Sequence, residues 1–152
     1  MAQLFTIAEA ERLLPQVERL LRDALSLRSE AAQAHKELEQ ATGHIRMAGG
    51  ARINPGKILA IRARRDTSIA ALKDVLERIA ETGAVVKDLD IGLIDFMSRF
   101  RDREVCLCWK LGESGILFWH GADEGYRGRK PIDREFLEGH SGEQSSAGGR
   151  LQ

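Results

Sequence analysis

The chain predicts an α+β fold: a long antiparallel helical hairpin, coiled-coil-like, packed on a small, mainly antiparallel sheet of three or four strands. Three observations carry this. Apolar residues recur by alternating threes and fours from Ala10 to Ile45, which is the seam of a long helix. A second stretch of helical period follows the break MAGGARINPG and runs to Gly83. Beyond Gly83 the period falls to two, in short runs rich in Val, Ile and Leu.

The first helix starts near Ile7, because Thr6 and Glu9 have the spacing of a capping box. Pro15 interrupts it. A proline there either kinks one helix or opens a second at its first turn, and the pattern allows both. The seam then holds through Val17, Leu20, Ala24, Leu27, Ala31, Ala34, Leu38 and Ala41, widened on one side by Leu14, Leu21 and Leu25. Asn54 is a good N-cap and Pro55 a good first helical residue for the second helix. That helix reaches about Thr82 and stops at Gly83. Its apolar face is Ile58, Ile61, Ile69, Leu72, Val75, Leu76 and Ile79, with Arg65 where an apolar residue is wanted. Such a hairpin buries one stripe per helix, so its distal end has little core and either finds a partner or moves.

AVVKD and IGLIDF read as short strands, and EVCLCWKL and ILFWH as clearer ones joined by the turn GESG. Pairing about that turn sets Leu111 opposite Ile116, Trp109 opposite Phe118, Cys108 opposite Trp119 and Leu107 opposite His120. Alternation then puts His120 and Phe118 with Leu107 and Trp109, and Cys106 and Cys108 with Trp119. Both faces are apolar. The hairpin is expected to cover one, and the C-terminal segment or a second subunit the other, which is the ground for expecting a homodimer. From Glu138 the sequence GHSGEQSSAGGRLQ has nothing to bury and reads as a disordered tail. The expected organisation is one domain over residues 1–137 (hairpin 7–82, sheet region 84–131) and a tail over 138–152.

Composition excludes some functions. Lys and Arg balance Asp and Glu, so formal net charge is zero and no global field draws nucleic acid or membrane. Two cysteines two residues apart on one strand fit neither an easy disulfide nor a paired-cysteine zinc motif. They suit a reducing compartment. The acidic N-terminus is not a signal peptide, and no apolar run approaches the roughly 18 residues of a membrane span. A cytoplasmic protein with no membrane partner is expected.

The segments FTIAEAERLLP, KDLDIGLIDF, LCWKLGE, FWH and GYRGRKP together resemble an uncharacterised bacterial family known as domain of unknown function 2203. The similarity covers about residues 5 to 131. The family's motif carries a proline shortly after the Asp–Phe pair, where this chain has Met97. The resemblance brings no activity with it and names no cofactor, so the cofactors stay unknown. It marks Asp88, Asp90, Asp95, Cys108, Trp109, Glu113, Trp119, His120 and Arg129 as motif positions.

Those positions hold the candidate chemistry. Asp88, Asp90, Asp95 and Glu113 with His120 have the donors of an oxygen-rich metal site with one imidazole. Against this, Asp88 and Asp90 suit a turn, Glu113 lies in the hairpin turn, and a lone strand His is commonly a bonded core residue, so no metal is assigned. Asp95 with His120 is the acid–base version. A buried Asp usually has a cation beside it, however, and Arg101, Arg103, Arg127 and Arg129 are available. Cys108 beside Trp109 and across from Trp119 reads as an inert buried thiol, and alternation puts it on the face opposite His120. Arg127 and Arg129, flanked by glycines, offer forks for an anion or a tie for the C-terminal segment. Finally, no acid lies between Glu39 and Asp66, while Arg46, Arg52, Lys57, Arg62, Arg64 and Arg65 cluster there. That basic tip could grip a nucleic-acid backbone. The sequence therefore favours an interaction or assembly module. A small-molecule or metal-dependent enzyme using Asp95, Glu113 and His120 is the alternative, and weak nucleic-acid binding through the tip is a third reading.

Overall fold

The computed structural model describes residues 3–47 and 54–141. Two long helices pair, and a six-stranded antiparallel sheet follows them, so the α+β class holds and the sheet is larger than the three or four strands expected. Helix α1 is Ile7–Met47 and α2 is Pro55–Glu81. The capping box forms: the Glu9 amide donates to Thr6 Oγ1 at 3.1 Å and the Thr6 amide to Glu9 Oε1 at 2.9 Å. Pro15 lies within one continuous α1. It is exposed, and so is Glu11, the residue whose carbonyl would take the missing N–H, so water can serve that carbonyl. Asn54 Oδ1 accepts from the Lys57 amide at 3.1 Å and caps α2. Gly83 ends it at φ +95°, where a Cβ would lie 2.7 Å from Phe5 Cζ.

The chain forms two compact units, residues 1–21 with 78–152, and residues 22–77. The second unit is a pair of helix segments. Its buried apolar residues are Ala24, Ala34, Leu38 and Ile61, with Ile58 packed against the last three. Ser68 is also buried, and its hydroxyl lies 3.4 Å from Glu30 Oε2.

The first unit holds the sheet. Its strands are β1 (Val85–Asp88), β2 (Leu93–Phe100), β3 (Arg103–Lys110), β4 (Phe118–Gly121), β5 (Lys130–Pro131) and β6 (His140–Ser141). The order is β1-β2-β3-β4-β5, with β6 pairing the far end of β2. A two-residue turn, Arg101–Asp102, joins β2 to β3 with positive φ at both residues, as right-twisted hairpins require. The Phe5 amide donates to the Met97 carbonyl at 2.7 Å, and the Phe5 ring meets Phe96 edge-on at 5.4 Å.

The β3–β4 register differs from expectation by one residue: Cys106 pairs His120, Leu107 pairs Trp119 and Cys108 pairs Phe118. The GESG segment is not a tight turn. Seven residues separate β3 from β4. Trp109 Nε1 donates to the Glu113 carbonyl and the Lys110 amide to Glu113 Oε1, while Leu111 donates its amide to Gly92 and Ile116 is buried. These ties use the residues that a tight turn would have paired. A slip of one residue turns every β4 side chain over. His120 and Phe118 therefore share a face with Cys106 and Cys108, not with Leu107 and Trp109.

The C-terminal segment covers part of the other face. Helix α3 (Arg134–Gly139) brings Phe136 onto Trp119 at 4.7 Å and onto Phe100 at 5.1 Å. Residues Glu138 to Ser141, expected to open a disordered tail, lie in α3 and β6. Residues 142–152 lie outside the described residues.

Candidate functional site

Asp95 sits in the middle of β2 and His120 in β4, with β3 between them. Register sets Asp95 opposite Cys108, and Met97 opposite Cys106, which is opposite His120. The Asp95 carboxylate reaches diagonally over β3, and His120 Nε2 lies 3.0 Å from Oδ2 and 3.2 Å from Oδ1. Both side chains are buried, at 1% and 3% exposure. His120 Nδ1 donates to the Gly121 carbonyl at 2.8 Å, because a carbonyl can only accept. The partner beside Asp95 is therefore His120, not one of the arginines.

Two thiols flank this contact, and both are buried. Cys106 Sγ lies 3.6 Å from the Met97 thioether sulfur. Burial, then the Asp95 carboxylate, push both thiols up to about 12, so they stay protonated and unreactive at neutral pH. Cys108 and His120 share a face after all. The Cys108 thiol is buried, and burial and the Asp95 carboxylate hold it protonated.

A second cluster lies on the loop after β3. Arg129 Nη2 donates to both oxygens of Glu113, at 2.6 and 2.7 Å. Its guanidinium lies 4.0 Å from the Phe118 ring centroid and 5.0 Å from that of Tyr126. Burial works against the charged guanidinium, but the Glu113 hydrogen bonds, together with the charges of Cys108 and Glu113 and the Tyr126 hydroxyl, outweigh it and hold the group above its ordinary value. Arg129 Nε is buried without a hydrogen-bond partner among the described residues. Arg129 therefore ties its loop to Glu113.

Of the three residues in the alternative enzyme reading, Glu113 has partners separate from those of Asp95 and His120. Glu113 turns to Arg129 and the Lys110 amide, while Asp95 and His120 are sealed in the sheet. Asp88 Oδ1 accepts from the Asp90 and Ile91 amides at 2.9 and 3.4 Å, a local turn. Trp109 is buried in the core, and Arg127 is exposed in the short 3-10 turn Tyr126–Gly128. Trp119 lies beneath Lys130, whose Nζ is 4.6 Å from the ring centroid, and both line an open cleft of about 420 Å³. At the basic tip, Arg64 pairs with Glu37, and Arg65 Nη2 lies 3.1 Å from Asp66 Oδ1. Lys57 and Arg62 are exposed there. The Arg46 side chain and Arg52 lie outside the described residues.

Sequence reasoning missed Cys106 and Met97 as neighbours of His120. The signal was the β3–β4 register, which GESG misreports.

The model of the family described as "uncharacterized conserved protein (DUF2203)" matches residues 3–132, and the chain belongs to that family. Neither the curated proteins nor the solved structures contain a match to it. No helix among the described residues is long and apolar enough to cross a membrane.

Proposed function

We propose that this protein is an assembly module that pairs with a second copy of itself through the helical unit of residues 22–77. One observation carries the reading. Two helix segments hide only one stripe each, and here apolar side chains beyond the buried residues still reach solvent. Leu59 and Ile69 are 63% and 49% exposed, and Leu25, Leu27, Leu72, Val75 and Leu76 are only half-buried. Adjacent half-buried apolar side chains on a helix are the usual substrate of helix–helix association. The sheet gives no such support, since the C-terminal segment covers Trp119 and Phe100 within the chain.

The test is mass by light scattering at tens of micromolar. The wild-type chain should run as a dimer, and Ile69→Glu with Leu72→Glu should run as a monomer that keeps its helical circular dichroism. A monomeric wild type at that concentration removes the reading.

A further inference from the structure

We propose that Asp95, Cys106 and His120 form a buried binding site for a thiophilic divalent cation of the zinc class. The argument begins with hydrogen-bond bookkeeping at His120. Its Nδ1 carries a proton, because it lies 2.8 Å from the Gly121 carbonyl. Nε2 of the neutral ring is then a lone pair, and it faces two carboxylate oxygens at 3.0 and 3.2 Å. Two acceptors at that distance repel unless something positive lies between them. A second proton on the ring would serve, and so would a metal ion.

The third residue decides for the metal. A proton shared by Asp95 and His120 needs no further ligand. Yet among the described residues Asp95, Cys106 and His120 each turn one donor atom toward the others, all within 4.8 Å of one another. Zinc holds nitrogen and oxygen at about 2.0–2.2 Å and sulfur at about 2.3 Å, so a tetrahedral site separates its ligand atoms by roughly 3.3–3.6 Å. The 3.0 Å nitrogen–oxygen edge needs to open by a few tenths of an ångström, and an edge to sulfur at the 4.8 Å bound would close by about 1.2 Å as the ion draws the thiolate in.

Charge and donor type agree. A divalent cation with one carboxylate, one thiolate and one neutral imidazole sums to zero, which a site this buried requires. One nitrogen, one oxygen and one sulfur suit a borderline cation, whereas magnesium and calcium want oxygen ligands throughout. The Nδ1–H bond to a backbone carbonyl is the outer contact that metal-bound imidazoles use to fix ring orientation. Binding would displace the Cys106 proton, as coordinating metals do to thiols. Cys108 shares the face as the register partner of Asp95.

The site is sealed, so the ion must enter before or during folding, and the experiment follows from that. The full chain is unfolded with chelator, then refolded with Zn²⁺, with Co²⁺ or with neither, and desalted. The Zn²⁺ sample should keep one equivalent per chain and melt higher than the metal-free sample. The Co²⁺ sample should show a thiolate-to-cobalt charge-transfer band, and Cys106→Ala should lose it. Retention of no metal overturns the proposal. So does a cobalt complex without the thiolate band, since that would place the ion elsewhere. If Cys106→Ala does not refold, Cys108→Ala decides: the band should persist there with Cys106 as the remaining thiol, and its loss would overturn the proposal.

Discussion

His120 Nε2 lies 3.0 Å from Asp95 Oδ2 across a strand to which neither residue belongs. Neighbours on one face of a sheet usually meet on adjacent strands. This contact skips one, and it can do so because Cys106 and Cys108 beneath it are short. The pair thus fixes the relative slide of three strands, β2, β3 and β4. It also places the most polar group of the first unit where almost no water reaches.

That placement sets the energetic stake. Replacing His120 with Leu leaves the Asp95 carboxylate buried and alone. The expected loss is about 3–5 kcal/mol of unfolding free energy. Replacing Asp95 with Leu as well removes the orphaned charge and should recover most of that loss. Urea unfolding of the metal-free single and double variants measures both numbers. A single-variant loss under about 1 kcal/mol would show that the pair is not sealed from water.

Arg129 makes a different prediction, because its charge and its shape act separately. Arg129→Lys keeps the charge but gives up the flat guanidinium over Phe118 and Tyr126. The expected destabilisation is about 1–2 kcal/mol, the magnitude of a partly desolvated cation–π contact. Arg129→Met should cost more, because it also strips the hydrogen bonds from Glu113. Equal losses for the two variants would mean that stacking over the rings contributes and the charge does not.

Most of the fold was legible because it is written in local signals. Thr6 with Glu9, Asn54 with Pro55, and Gly83 each fix a helix end within a few residues, and the structure uses all of them. The Asp95–His120 site was not legible in the same way. Its existence depends on β3–β4 register, which is set by contacts between residues far apart in the sequence. Trp109 and Lys110 close the loop onto Glu113, and Leu111 pairs with Gly92. No local pattern announces those ties, and a single residue of slip moved His120 to the wrong face. The short strands β5 and β6 were hidden for a related reason: two residues carry no periodicity.

Gly83 tests the legible part. At φ +95° a side chain is strained, and a Cβ would press on the Phe5 ring at 2.7 Å. Phe5 is itself buried against Phe96, so the ring has little room to retreat. Gly83→Ala should destabilise by roughly 2–4 kcal/mol, combining backbone strain with overpacking. Adding Phe5→Leu should relieve the clash and leave the smaller backbone part. Additive losses in the double variant would place the whole effect in the backbone.

The two thiols give the pH dependence its sign. Both are pushed up to about 12 in the folded, metal-free chain, against an ordinary value of 9.0. Below about pH 9 they are protonated in both states, and the advantage of the folded state is whole. As pH rises past 9 the unfolded chain loses two protons that the folded chain keeps, so stability falls until the folded thiols ionise near 12. The slope approaches about 2.7 kcal/mol per pH unit, from about 1.36 for each thiol. Lysines and the tyrosine also titrate in this range, so the informative quantity is a difference. Chelator-treated wild type and the Cys106→Ala/Cys108→Ala double variant should be unfolded in urea at pH 8 and again near pH 10. The wild type should lose more stability than the double variant across that interval. Parallel losses would show that the thiols ionise as freely in the folded chain as in the unfolded one, and that the face they share with Asp95 is open to water.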